Sequence, residues 1–166
     1  VTVLRQGTVF GVSPKMRFDL AINGMTHSAW VNKKLPLMRP GTQRRPMLHV
    51  KDAIRAQRLM LEIDPAKING EIFNVGFKNQ SVNELANDVK KVIGDDIEIV
   101  KSHSDDNRSY YVNSKKIQEV LGFNTTRTVK SAVKDLKNAF ESGLLPNSLD
   151  DEKYFNIKRM QSIQLV

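Results

Sequence analysis

Cysteine is absent from all 166 residues. Its absence excludes disulfides, thiolate metal sites and a cysteine nucleophile, and it makes a reducing cytoplasm the expected compartment. No run approaches the ~20 apolar residues that a membrane-spanning helix needs, so no membrane partner is expected. Tryptophan occurs once, and the three histidines, His27, His49 and His103, are too scattered to argue for a metal site. Internal repeats and low-complexity tracts are also missing. What remains is 40% hydrophobic and 27% charged, the balance of a chain that can bury a core. Its length suits one domain, or one half of a larger enzyme.

The net charge of +8 is unevenly spread. Residues 1–50 hold eight basic side chains against the single acid Asp19, a net of +7, which leaves +1 for the remaining 116 residues. One anion-facing surface is therefore expected, and charge alone does not choose between a nucleic acid and a small diphosphate.

Along the chain, β-formers from Val1 to Phe10 predict a strand ended by Gly11. A start in mid-strand leads us to expect that the natural protein extends upstream. Asp19 is expected to cap a helix reaching about Asn32, with Gly24 as its weak point. A strand at Leu35–Met38, a loop from Arg39 to Pro46 and a helix from about Asp52 to Ile63 follow. Glu71–Val75 predicts another strand. Ser81 and Glu84 form a capping box ahead of Val82, Leu85, Val89 and Ile93 at helical spacing. Ile97–Val100 is a strand, Tyr110–Val112 is extended, and Lys115–Leu121 and Thr128–Ser142 are helices. The acids Asp150–Glu152 favour the start of a last helix. Alternating helices and strands make the class α/β.

Four segments, in order, carry a resemblance: Leu4 to Asp19, Gly41 to Asp52 (with Arg45 ahead of His49-Val50-Lys51-Asp52), Gly70 to Gly76, and Asp106 to Phe123. Together they resemble the C-terminal, substrate-binding half of the extended short-chain dehydrogenases/reductases, the family of NAD-dependent nucleotide-sugar epimerases and dehydratases. The resemblance implies the late part of a Rossmann-type fold. Residues 1–11 and 71–76 would be strands of the cofactor sheet, the remainder of 1–146 a small α/β substrate-binding lobe, and 147–166 a helical tail. No Gly-rich turn of the G-x-x-G-x-x-G type follows a first strand. In the family that turn and the catalytic Tyr-x-x-x-Lys pair lie upstream, and neither is expected in this chain. NAD is accordingly expected in the complete enzyme and not held tightly by this segment, which would be inactive alone. The upstream half of the same enzyme is the expected partner, in a homodimer when complete.

Carried over residue by residue, the resemblance places Thr8 against the sugar and Asn23 near the diphosphate. Met38 closes the strand that runs beside the nucleobase. Arg45 and Arg108 clamp the diphosphate or ribose, and Phe10, Gly11 and Val12 line the nicotinamide side. Guanidinium suits that clamp, because its planar donor fork matches phosphate oxygens in a way that lysine cannot copy. Pro46, Met47, Gln6 and Gly7 depart from the family's usual residues. Arg44, His27 and His103 are expected at the surface, His49 as a structural hydrogen-bonder, and Tyr110 and Tyr111 in core or rim. Asp19, Asp52, Asp105 and Asp106 form no evident acid–base pair, so no catalytic residue is assigned. A non-catalytic module that binds a nucleotide sugar or a partner chain is the rival reading. A nucleic-acid binder ranks last, because the positive residues fall in a loop and a turn without interleaved aromatics.

Overall fold

The structure is a computed structural model that describes residues 1–38, 40–102 and 108–165. The expected opening strand is two strands, β1 (Val3–Gln6) and β2 (Thr8–Phe10), separated at Gly7. β1 runs parallel to β5 (Ile72–Val75), with Val3 opposite Ile72. β2 runs parallel to β4 (Arg44–His49), with Thr8 opposite Met47 and Phe10 opposite His49. The Gly7 amide still donates to the Val75 carbonyl at 2.8 Å, so pairing passes from β5 to β4 at that residue. β6 (Asn79–Ser81) adds antiparallel to the first half of β4. The expected loop from Arg39 to Pro46 is therefore shorter, because Arg44–Pro46 find β6 as a ladder partner.

Two helices pack on this parallel sheet: α2 (Val50–Glu62) and α4 (Lys115–Leu121). Leu48, Ala56, Phe73, Val75, Ile117 and Phe123 form the core between them. A second core lies among α1 (Ala21–Asn32), α3 (Val82–Ile93), α5 (Val129–Glu141) and the parallel pair β3 (Lys34–Met38) and β7 (Glu98–Ser102). Ile22, Leu35, Leu85, Val89, Ile97 and Val133 fill it. α3 begins as its sequence requires. The Glu84 amide donates to the Ser81 Oγ at 3.2 Å, and the Ser81 amide donates back to Glu84 at 2.7 Å.

Asp19 does not cap α1. Leu20 holds the cap position without a side-chain bond, and Asp19 instead takes both donors of the Arg17 fork at 2.9 Å and the Asn156 amide at 3.3 Å. Those bonds tie down the tail. After the acids, a short 3-10 turn (Glu152–Tyr154) precedes α6 (Asn156–Ser162). Tyr154 then buries against Met16, Phe18, Leu136 and Leu145.

The same tail overturns the expected exposure of His27. Its ring stacks on Phe18 at 4.2 Å, its Nε2 lies 3.1 Å from the Ser148 Oγ, and only 6% of the residue is exposed. Burial holds the His27 pKa below the ordinary value, while the Ser148 hydrogen bond works the other way. The unfolded chain therefore binds this proton more readily than the folded one. Stability is complete above the unfolded value of about 6.5 and falls as the pH drops through it towards the folded value. Denaturation midpoints at about pH 5 and about pH 7.5 are expected to differ more in the wild-type chain than in His27→Leu. Equal differences in the two proteins would place the acid sensitivity elsewhere. His103, also expected at the surface, lies outside the described residues.

Candidate functional site

A cleft of about 500 Å³ lies between the start of α1, β3 and the start of β4. Thr8, Arg45 and Arg108 all line it, although 37 and 63 residues separate them along the chain. Phe18, Gly24 and Pro36 supply apolar wall, and Gln43 and Tyr110 complete the polar side.

Arg44 and Arg45 meet a strap, residues 108–113, that lies against the start of β4: the Arg44 amide donates to the Ser109 hydroxyl at 3.0 Å, and the Tyr110 amide donates to the Arg44 carbonyl at 3.4 Å. Arg45 Nη1 donates to the Arg108 carbonyl and, at 3.1 Å, to the Arg44 carbonyl. The Arg45 guanidinium lies 5.5 Å from the centre of the Tyr110 ring, and that of Arg44 lies 5.4 Å from Tyr111. The strap is pinned at its far end by Asn79, whose side chain donates to the Val112 carbonyl at 3.0 Å and accepts from the Val112 amide at 2.9 Å. Two consecutive arginines on a strand thus meet two consecutive tyrosines on the strap, a geometry favourable to cation–π contact. Arg44, expected as a surface charge, also donates to the Asn79 carbonyl at 2.9 Å and lies 3.7 Å from Glu84.

The remaining expected residues lie elsewhere. Asn23 is 3% exposed, and its Oδ1 accepts from the Gly11 amide at 3.0 Å, so it fixes the turn after β2 instead of facing the cleft. Phe10 is buried edge-on against His49, with ring centres 5.4 Å apart. Gly11 has a φ of +107°, and a Cβ there would stand 2.9 Å from His49 Nε2. That contact by itself accounts for glycine at this position. Val12 belongs to a second cleft of about 590 Å³, shared with Met16, Leu145 and Tyr154. Its two lysines are engaged: Lys15 donates to the Lys153 carbonyl at 3.2 Å, and Lys153 lies 2.8 Å from Asp151. The side chain of Met38, and the whole of Asp105 and Asp106, lie outside the described residues.

His49 caps α2, its Nδ1 accepting from the Lys51 amide at 3.1 Å. It is fully buried and its Nε2 has no partner. Burial lowers its pKa, against the pull of Asp52 and Asp135. It is a structural group that caps α2. Against expectation, the Tyr-x-x-x-Lys spacing does occur, twice, at Tyr111–Lys115 and Tyr154–Lys158. Neither places a lysine one helical turn from a free phenol. Tyr111 precedes α4 and is 68% exposed beneath Arg44. Tyr154 is buried and donates to the Pro146 carbonyl at 3.1 Å, while the Lys158 ammonium lies 4.5 Å from the Phe155 ring.

Gln43 and Tyr110 were not legible as site residues. Gln43 stands two positions before Arg45, on the same side of an extended chain, a spacing that could have marked it. Among the described residues no helix is long and apolar enough to cross a membrane, and no three His, Asp or Glu side chains gather as a metal site.

Parallel strands covered by α2 and α4, with a cleft beside them, define a Rossmann-type α/β fold, and comparison with known proteins specifies which kind. The model of the NAD dependent epimerase/dehydratase family matches residues 1–76. A UDP-D-apiose/UDP-D-xylose synthase from Oryza sativa subsp. japonica is 48% identical over 82 residues, 43% of this chain and 20% of that protein. A UDP-glucose 4-epimerase from Thermotoga maritima, solved with UDP-glucose, is 25% identical with a TM-score of 0.73 over 86% of this chain and 46% of its own. A dTDP-glucose 4,6-dehydratase from Bacillus anthracis in complex with NAD is 22% identical, with a TM-score of 0.71 over 94% and 47%. The fold is that of the extended short-chain dehydrogenases/reductases, and the chain spans about half the length of these solved relatives or less.

Proposed function

We propose that this chain is the substrate-binding portion of an NAD-dependent nucleotide-sugar epimerase or dehydratase. In this reading Arg45 and Arg108 hold the diphosphate and Thr8 meets the sugar. The observation that carries it is the convergence of these three distant residues on one cleft. The family match over residues 1–76 and the UDP-sugars named for two of the relatives support it. The excess of positive charge in the first fifty residues has the sign that attracts a diphosphate.

Asn23 enters this reading as a positioning residue, because it bonds Gly11 and not the cleft. NAD, when bound in the complete enzyme, would take up a hydride from the sugar ring and return it. Of the three residues expected on the nicotinamide side, Phe10 and Gly11 are buried and only Val12 borders a cleft, so the residues present do not by themselves make a cofactor site. Phe10, Gly11 and Val12 sit where β2 ends, and the chain has no glycine-rich turn to approach a pyrophosphate. This segment binds and orients; the partner that carries the glycine turn and the proton-transferring tyrosine is the upstream half of the same enzyme, working as a homodimer in a reducing cytoplasm. Among the described residues β1 pairs with β5 alone, which leaves its other edge open to a further strand.

Titration of the chain with UDP tests the cleft. UDP is expected to raise its melting temperature, and Arg45→Ala to weaken binding at least about tenfold. Arg45→Lys is expected to recover little of it, since an ammonium lacks the planar fork. Equal affinity in the wild-type and Arg45→Ala chains would overturn this reading. So would tight RNA or DNA binding that falls steeply with salt in the absence of any response to UDP.

A further inference from the structure

Phe18 and Asp19 wall the cleft that holds Arg45 and Arg108, yet they belong to no helix or strand. The C-terminal tail fixes them. The Phe18 amide donates to the Tyr154 carbonyl at 2.9 Å, and the Asn156 amide donates to Asp19 at 3.3 Å. The Phe18 ring lies 5.1 Å from the Tyr154 ring and 6.2 Å from the Phe155 ring, centre to centre. His27 touches wall and tail together: it stacks on Phe18 at 4.2 Å, meets the Phe155 ring at 6.3 Å and bonds Ser148 at 3.1 Å. Tyr154, Leu145, Met16 and Phe18 form a small cluster with α5 that is separate from both main cores. Beyond it Ile157, Met160, Ile163 and Leu165 are exposed. A segment held by so small a cluster opens more easily than the whole chain unfolds.

We propose that the tail is a latch on the ligand cleft, with His27 as the positioning residue that joins the two. Docked, the tail holds Phe18 and Asp19 where a nucleotide sugar meets them. A bound nucleotide sugar in turn holds the tail, because coupling between two sites acts equally in both directions. The inference rests on the nucleotide-sugar reading of the cleft and adds a control element to it. Acid is expected to release the latch. A protonated His27 would carry its charge among the Phe18, Phe140 and Phe155 rings, and burial disfavours that form while the Ser148 hydrogen bond works the other way. Around it, α1 carries no charged side chain of its own, and Arg17 and Asp19 beside Phe18 pair with each other. Lys137 and Glu141 flank Phe140 on α5. Asp150, Asp151 and Glu152 follow Ser148, the last two paired with Lys153 and Arg159, and the Lys158 ammonium lies 4.5 Å from the Phe155 ring. None of these outweighs burial in its hold on the His27 proton.

The test uses UDP-glucose, whose diphosphate is esterified at both ends and so lacks the ionisation near about pH 6 of a terminal phosphate. Hydrogen exchange at the Phe18 and Asn156 amides reads the opening of the latch. The Val3 amide, which donates to the Glu71 carbonyl at 3.0 Å on the sheet, is the reference. Saturating UDP-glucose is expected to slow the two latch amides at least about tenfold relative to Val3. Without ligand, a fall from about pH 7.5 to about pH 5.5 is expected to increase opening about fivefold, once exchange is corrected for its own pH dependence. In His27→Phe, which keeps a flat ring on Phe18 and takes up no proton, the same change is expected to stay under about twofold. Ser148→Ala, which unhooks the ring from the tail without touching the cleft, is expected to raise opening about fivefold at about pH 7.5. A residue that merely packs would let neither the ligand nor acid act on the tail selectively. UDP-glucose that binds and leaves the latch amides unchanged overturns this inference and leaves the diphosphate reading standing, even if His27→Phe fails to fold. Acid sensitivity that survives in His27→Phe removes His27 from the latch and likewise overturns the inference. No UDP-glucose binding at all overturns both.

Discussion

Asp52→Ala is expected to destabilise the chain by about 2–4 kcal/mol in chemical denaturation, since each buried donor left unpaired costs about 1–3 kcal/mol. Asp52 has no solvent exposure, and its carboxylate accepts from the Thr126 amide at 3.1 Å, the Arg127 amide at 2.9 Å, the Thr126 hydroxyl at 3.0 Å and Arg55 at 2.8 Å. Its partners lie 74 and 75 residues away, in the turn that leads into α5. One side chain on α2, which packs on the parallel sheet, thereby holds the entry to a helix of the other core. Alanine would strand the two amides, while the half-exposed Arg55 guanidinium keeps the Asn124 carbonyl and the Thr126 hydroxyl. Burial alone would raise the Asp52 pKa, but the hydrogen bonds from Arg127, Thr126 and Arg55 outweigh it and hold the pKa below the usual carboxylate value. The stabilisation is thus complete above the unfolded value of about 3.9 and is lost as the pH falls through the lower folded value. A loss under about 1 kcal/mol for Asp52→Ala would mean that water satisfies those donors and that the two cores are joined by other contacts.

Asp52 also marks the boundary of what the sequence could tell. The sequence shows it as a carboxylate beside a motif with no evident acid–base pair, because its Thr126 and Arg127 partners are remote in sequence, although Arg55 stands only three positions on. Local devices were legible: the Ser81–Glu84 box needs only four residues, and α3 begins where they say. The resemblance put the opening segment and residues 71–76 among the strands of one sheet; their direct, parallel pairing comes from the structure. Its break at Gly7 did not, since that depends on β4 replacing β5 as the neighbour. His27 was misread for the same reason. Besides Phe18, the groups that bury it, Phe140, Ser148 and Phe155, come from the last third of the chain. In the candidate site the arginines were legible through the resemblance. The Tyr110 and Tyr111 rings that flank Arg45 and Arg44 were not, because a strap lying along a strand leaves no periodicity to read.

Gly24 shows the same conflict between local and tertiary rules, and its substitution has the second large expected effect. Glycine inside a helix costs about 1 kcal/mol relative to alanine, so by propensity Gly24→Ala gains stability. In this fold the sign reverses. A Cβ on Gly24 would stand 2.4 Å from the Phe18 carbonyl oxygen, a backbone atom that no rotamer change can move. Phe18 is anchored as well, its amide donating to the Tyr154 carbonyl at 2.9 Å and its ring stacked on His27. The added methyl must therefore push α1 or the docked tail out of place, and Gly24→Ala is expected to destabilise by about 2–3 kcal/mol. Both Gly24 and Phe18 line the cleft that holds Arg45 and Arg108, so UDP affinity is expected to fall along with stability. Urea denaturation and UDP titration of the same variant separate the outcomes. A variant more stable than wild type would show that the Phe18 carbonyl yields freely. A destabilised variant with unchanged UDP affinity would uncouple the start of α1 from the cleft.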